Sequence, residues 1–336
     1  MKIHALGLCG VDDSVHPNQL VMYAHLYPLV EFGVLFRPDR EGQPRYPTKE
    51  WVELLSETAG AKNHNPRNRN KMKLAAHLCE RRVDEVLRGD DSFVSELYEW
   101  GFGRVQINAT AVNGVDTSVF DKHPTAAIKN FMAIVHHHPE LEFILQKNDE
   151  TRPLWEGVLI YTNINNIEFP SNVSMLLDES KGTGVLPKTW PPIPPDTTYK
   201  IGYAGGIGPS NVSEVLSKIR EAVAEVGDRD GGFWIDMESS LRSQKDGQDV
   251  FDLDKCYTVI MEVCREGYFS HPPFLVSSFR PEEDIIDSLK DSIKRLEKEF
   301  EDMASNRNLD RVIEIASERE KIKEKIQQLE FRKLTK

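Results

Sequence analysis

Eight short runs of apolar residues recur through the chain, each bounded by turn residues: Ile3–Cys9, Val30–Phe36, Met72–Cys79, Arg104–Asn108, Glu142–Gln146, Val173–Asp178, Lys200–Ala204 and Phe233–Asp236. A strand with one face in water alternates apolar and polar residues. A run that is nearly continuous needs cover on both faces, as parallel strands have. Between most of the runs lie segments of helical period: Gln19–Tyr27, Thr48–Leu55, Val83–Trp100, Ala126–His137, Asn211–Val226 and Leu253–Arg265. Strands alternating with helices in this number predict an α/β chain folded as a (β/α)8, or TIM, barrel over 1–278. Strand five and its helix are expected within 142–170.

Three segments read as insertions. Glu57–Lys71 is basic and Asn-rich and reads as a mobile loop, Asn113–Thr125 as a long connection, and the proline-rich Leu186–Thr198 as stiff and extended. After Pro281 the character changes: 28 of the last 56 residues are charged, with no glycine. Ile286, Leu289, Ile293, Leu296, Phe300 and Met303 follow a 3-4 spacing that resumes at Val312, Ile315, Ile322, Ile326 and Leu329. That stripe predicts a helical coiled-coil extension over 281–334. Ser305–Asn308 could turn it into an antiparallel hairpin, packed on its own barrel or pairing with a second copy as a homo-oligomer.

Lys and Arg number 42 against 54 Asp and Glu, a net charge of −12, which argues against nucleic acid as a partner. No run approaches the roughly 18 apolar residues of a membrane span, and the N-terminus lacks a signal peptide's apolar core. A cytoplasmic protein with no membrane partner is expected. Cys9, Cys79, Cys256 and Cys264 show neither C-x-x-C nor zinc spacing and read as free thiols. His136-His137-His138 stands before Pro139 and reads as a solvated helix end rather than a metal site.

Reactive groups of a parallel barrel sit where strands end and loops begin. Strand one ends at Cys9-Gly10, strand six at Asp178 before Gly182-Thr183-Gly184, strand seven at Ala204-Gly205-Gly206-Ile207-Gly208, and strand eight at Asp236-Met237-Glu238-Ser239-Ser240. The strand-seven turn could hold a phosphate on the backbone amides of Gly205 and Gly206, with Ser239 and Ser240 as the second wall. Alone, Cys9 reads as a buried small side chain and Asp178 as a turn residue.

In combination these blocks resemble the phosphoribosylanthranilate isomerase family. The resemblance rests on Leu8-Cys9-Gly10-Val11, on Gly33-Val34-Leu35-Phe36 followed by Pro44-Arg45-Tyr46, and on Leu176-Leu177-Asp178 with Gly182-Thr183-Gly184. Ala204-Gly205-Gly206-Ile207 with Pro209 and Asn211-Val212, and Asp236-Met237 with Ser239, complete it in the family's order. It implies an Amadori rearrangement of a small phosphorylated sugar-amine in tryptophan biosynthesis, with no cofactor and no metal. By match, Cys9 is the general base and Asp178 the general acid. Arg45, Gly182, Gly184 and Asp236 are then substrate-binding, and Gly205, Gly206, Ser239 and Ser240 phosphate-binding. The chain departs from the family pattern at Asn108, where the family has histidine, at His77-Leu78-Cys79-Glu80, and at Ser240 and Arg242. Two alternatives stand beside it. One is a phosphosugar-binding barrel without turnover, recruited as a scaffold through its tail. The other is a phosphosugar isomerase or lyase of different substrate, with His77 as a possible base.

Overall fold

The structure is a computed structural model that describes residues 2–60, 72–118, 124–192, 197, 199–224 and 232–268. Beyond these it describes helical positions at 290, 293–294, 297, 315–317, 319–323 and 326. The chain forms two compact units, Met1–Ser270 and His271–Lys336.

The first unit is a (β/α)8 barrel. Strands β1 (Ile3–Cys9), β2 (Val30–Phe36), β3 (Lys73–Leu78), β4 (Arg104–Ile107), β5 (Glu142–Lys147), β6 (Val173–Leu177), β7 (Ile201–Tyr203) and β8 (Phe233–Met237) close into one parallel sheet. Each lies within a residue or so of the run expected from the sequence. Closure pairs Gly7 with Asp236 and Leu8 with Met237, while β1 meets β2 with Cys9 opposite Gly33. The register thus sets Cys9 between the ends of β2 and β8.

Helices α1 (Pro17–Leu26), α2 (Lys49–Ala59), α3 (Arg81–Arg88), α4 (Ser92–Glu99), α5 (Pro124–His137), α6 (Arg152–Ile164), α7 (Val212–Ala224) and α8 (Leu253–Arg265) connect the strands. Their ends follow local chemistry. The Thr48 hydroxyl accepts from the Trp51 amide to start α2, and Gly60 closes that helix in the left-handed conformation. The expected loop from Glu57 therefore begins later, because helical residues run to Ala59; residues 61–71 lie outside the described residues. The single helix expected over Val83–Trp100 is two. Gly89, at φ 88°, ends α3, and Asp90 caps the next turn through the Ser92 amide at 3.0 Å. A hairpin absent from the sequence reading, β9 (Arg242–Lys245) with β10 (Gln248–Phe251), follows β8. Its turn is Asp246-Gly247, both residues at positive φ, which is the common two-residue hairpin signal.

The barrel interior is layered. At the strand N-termini the Arg104 guanidinium bridges Glu31 at 2.7 Å and Glu142 at 3.1 Å, and Ser174 and Lys200 also bind Glu142. Above this floor sits a small apolar layer of Ala5, Ile144, Leu176, Ala204 and Trp234, separate from the main core between sheet and helices. Trp234 fits because β7 has glycine beside it: a Cβ on Gly202 would stand 2.0 Å from the indole. Arg104 lies 4.3 Å from the same ring. At the strand C-termini the lining becomes polar: Cys9, His77, Gln106, Asn108, Gln146, Asp178 and Asp236, all buried.

In the second unit every described position is helical, and the seam residues Ile315 and Ile326 are buried. Arg319 comes within 4.0 Å of Glu297, which brings these two helical positions together. Ile293 and Ile322 are half-buried; the other seam positions and the turn itself lie outside the described residues.

The ion-pair floor gives a stability test. Arg104→Leu leaves Glu31 buried without its partner, and breaking a buried pair on one side costs about 3–5 kcal/mol. Urea unfolding of the two proteins measures it. A loss below about 1 kcal/mol, the size of an exposed pair, would mean that the floor is not held by this contact.

Candidate active site

Two hydrogen-bonded groups occupy the barrel mouth. The first joins β1, β8, β3 and β4. The Cys9 thiol donates to Asp236 Oδ1 at 2.7 Å, and its sulfur lies 3.5 Å from His77 Nε2. The Gln106 amide nitrogen stands 2.8 Å from Asn108 Oδ1 and 3.3 Å from His77 Nδ1. Donating to both, it leaves the His77 hydrogen on Nε2, aimed at the Cys9 sulfur. Asn108 passes its own amide on to Cys79 at 3.6 Å. From Gln106 the donors run two ways: through His77 and Cys9 to the Asp236 carboxylate, and through Asn108 to Cys79.

Burial dominates the electrostatics here. It raises Asp236 to about 7, against the opposing hydrogen bond from Cys9. It pushes the Cys9 thiol well above its usual range, and the neighbouring Asp236 charge adds to this. It lowers His77 to about 3, helped by Arg104, so His77 is a neutral donor and not an acid. Cys9 and Asp236 compete for one proton, and their titrations belong to the pair.

The second group surrounds Asp178 at the end of β6. Its Oδ1 accepts from the Ser180 hydroxyl at 2.5 Å and amide at 3.2 Å. Its Oδ2 accepts from the Gly182 amide at 3.0 Å and from Gln146 at 3.1 Å. These bonds make Asp178 the anchor of the following loop. Burial nevertheless raises its pKa, because it outweighs the stabilisation that Ser180 and Gly182 give the carboxylate. Among the described residues no hydrogen bond joins Asp178 to Cys9.

The other expected site residues fall around these groups. Gly182 touches Asp178 through its amide, and Gly184 lies against Ser239. Gly205 and Gly206 have φ 109° and 65°, and the backbone of Gly184–Leu186 packs on them: a Cβ on Gly206 would meet Leu186 N at 2.7 Å. No described residue accepts from the amides of Gly205, Gly206, Ser239 or Ser240. The Ser240 hydroxyl donates to the Ile207 carbonyl, and its side chain lies against Gly208, bridging the two turns. Asn211 staples the strand-seven turn, accepting from the Gly208 amide at 2.8 Å and donating to the Gly206 carbonyl at 2.9 Å.

Arg45 reaches Glu238 and the Ser239 hydroxyl, both at 3.0 Å, and Asp249 at 3.2 Å, so its guanidinium already holds two carboxylates. Arg242 is buried between Asp12 at 2.7 Å and Asp249 at 2.9 Å and donates to the Gly10 carbonyl. It pins the β9–β10 hairpin to the loop after Cys9. Sequence reasoning gave no role to Gln106, Gln146, Asp12, Glu238 or Asp249. The signal for Gln106 was present, since Arg104, Gln106 and Asn108 alternate as one inward column of β4.

Cys9, His77 and Asp236 also place sulfur, nitrogen and oxygen ligand atoms within 4.8 Å of one another, a donor set that suits zinc. One hydrogen on the thiol and one on Nε2 satisfy both contacts, so the set is complete without a cation.

No family model matches this chain, and no curated protein does. Among solved structures the chain is similar to phosphoribosyl anthranilate isomerase from Thermococcus kodakaraensis, with TM-score 0.39 and 13% identity over 78% of this chain and 99% of that one. It is similar also to the carboxyl transferase domain of Rhizobium etli pyruvate carboxylase, with TM-score 0.39 and 11% identity over 88% of this chain and 54% of that one. A third is the Ignisphaera aggregans GH53 catalytic domain, with TM-score 0.37 and 10% identity over 74% and 89%. No helix among the described residues is long and apolar enough to cross a membrane.

The Asp236 charge is one reason that Cys9 holds its proton. Asp236→Asn removes that charge, so Cys9 should ionise at lower pH in the variant than in wild type. Thiolate ultraviolet absorbance followed against pH, with Cys9→Ala as the blank, reads this directly. An unchanged or higher midpoint would contradict the pairing.

Proposed function

We propose that this chain is an aldose–ketose isomerase that carries out an Amadori rearrangement, with N-(5′-phosphoribosyl)anthranilate as substrate and the carboxyphenylamino-deoxyribulose phosphate as product. The observation that carries the reading is the 2.7 Å hydrogen bond from the Cys9 thiol to Asp236, a carboxylate raised to about 7. A thiol is a poor base until it loses its proton. Asp236 is placed to receive that proton, and the His77 Nε2–H is placed to stabilise the sulfur that remains.

The reaction needs an acid and a base in sequence. Asp178, raised by burial, gives its proton to the furanose ring oxygen as the ring C–O bond breaks, leaving the open-chain iminium. The Cys9 thiolate then takes the C2 proton, and the C–H electron pair moves to quench the iminium as an enolamine. Ketonisation of the enolamine gives the aminoketose. The amides of Gly205, Gly206, Ser239 and Ser240, which no described residue accepts from, are the groups offered to the phosphate. Arg45, beside Ser239, would take the anthranilate carboxylate in exchange for Glu238 or Asp249.

A second reading, a phosphosugar-binding barrel without turnover, is favoured by one feature. Ser240 spans the two turns, and the 184–186 backbone covers Gly206, so the phosphate seat is narrow.

Loss of anthranilate fluorescence on mixing with substrate distinguishes the two. Turnover that Cys9→Ala and Asp178→Asn each lower by about 10²–10⁴-fold, the usual size of an acid or base contribution, supports the isomerase. Binding of a phosphosugar without turnover sinks it in favour of the second reading. The pH profile adds an independent check. Asp236 must be ionised to accept the thiol proton, so kcat/KM should rise as pH passes upward through about 7, and Asp236→Asn should lose that limb.

A further inference from the structure

Away from the barrel mouth, the turn between α3 and α4 meets the C-terminal end of α5. Asp91 precedes α4, at the position where an aspartate ordinarily accepts hydrogen bonds from the first helical amides. Its side chain makes no such bond, and Asp90 takes the Ser92 amide in its place. The Asp91 Oδ2 atom is turned instead toward two histidines, 2.5 Å from His137 Nδ1 and 3.0 Å from His138 Nε2. One ligand atom from each of the three residues falls within a 4.8 Å cluster.

The histidine triplet is not uniformly solvated, as its place before Pro139 suggested. His136 and His137 are exposed, but His138 is 6% exposed. Its Nδ1 lies 3.3 Å from Glu140, so the ring is held between two carboxylates. A neutral imidazole carries hydrogen on one nitrogen only. Whichever nitrogen carries it, the lone pair of the other faces a carboxylate oxygen, acceptor against acceptor, unless a second proton or a cation stands between them. This differs from the Cys9 group, where every contact has its own hydrogen.

We propose that Asp91, His137 and His138 form a zinc site that ties the α3–α4 turn to the end of α5. Two imidazole nitrogens and one carboxylate are a usual zinc donor set. A carboxylate on the far nitrogen is the arrangement that orients zinc-bound histidines, and Glu140 supplies it to His138. The charges of Asp91 and Glu140 balance a divalent cation, and the exposed side at His137 leaves a fourth position for water.

Calorimetric titration of zinc chloride into untagged, chelator-treated full-length protein tests the assignment. Wild type should bind zinc at this site, with one equivalent lost in Asp91→Asn. Glu140→Gln should weaken the same event by about 10–100-fold. His137 is 73% exposed and its described ring contact is to His138, so His137→Ala removes little buried surface, and a loss of affinity with an unchanged apo melting temperature reports a ligand and not a folding defect. Zinc should also raise the melting temperature of wild type and leave that of Asp91→Asn unchanged. The proposal fails if zinc does not bind. It fails equally if stoichiometry and affinity are the same in wild type, Asp91→Asn and His137→Ala, since the zinc would then lie elsewhere, for example on Cys9, His77 and Asp236.

Discussion

A Cβ on Gly33 would stand 2.4 Å from the Cys9 sulfur and 2.9 Å from His77 Nε2, nearer than side-chain carbons approach one another. The same holds one strand away, where a Cβ on Gly7 would meet Asp236 Oδ1 at 2.1 Å. The thiol, the imidazole and the carboxylate therefore share a volume that exists because β1 and β2 present no side chain there. A closed eight-stranded barrel has just enough interior to be filled by side chains. Converging three polar groups in it requires small residues at the neighbouring inward positions. The Cys9–Asp236 contact and the strand glycines are two aspects of one packing constraint.

Charge is handled differently at the two ends of that interior. At the floor, Arg104 and Lys200 outweigh the cost of burial and hold Glu142 down at about 2, so the carboxylate stays ionised. At the mouth, Asp236 and Asp178 are met mainly by neutral donors, namely a thiol, an amide side chain, a hydroxyl and backbone N–H groups. Neutral donors do not repay the loss of water, and both carboxyls are raised. One barrel thus carries fixed charge at the strand N-termini and raised carboxyls at the strand C-termini.

The fold was legible in the sequence because a strand covered on both faces must be apolar along its length, and nothing else in the chain has that pattern at that spacing. The breaks were less so. Gly89 divides a segment whose apolar period continues from Val83 to Trp100, and periodicity does not register a single left-handed residue. Cys9 and Asp178 could be picked out because each ends a strand. The partners that set their chemistry could not: Asp236 is 227 residues from Cys9, and Gln146 is 32 from Asp178. The pairings depend on barrel closure and register, which local sequence does not carry. From the sequence, Arg242 stands only as a departure from the family pattern after strand eight. In the structure it faces Asp12 and Asp249 and serves the hairpin, a role that becomes visible once Asp246-Gly247 is read as a turn.

The loop after β6 connects Asp178 to the strand-seven turn. Its first residues, Ser180 and Gly182, supply three of the four hydrogen bonds to Asp178, and its next, Gly184–Leu186, cover Gly206. Ser180 joins the two parts, because its hydroxyl donates to Asp178 and accepts from the Gly184 amide at 3.3 Å. A movement of 184–186 would pull on the same hydroxyl and alter the environment of the carboxyl. Removing those donors favours the protonated form, since they stabilise only the carboxylate. The backbone that packs on Gly206 and the protonation of Asp178 are therefore linked through one loop.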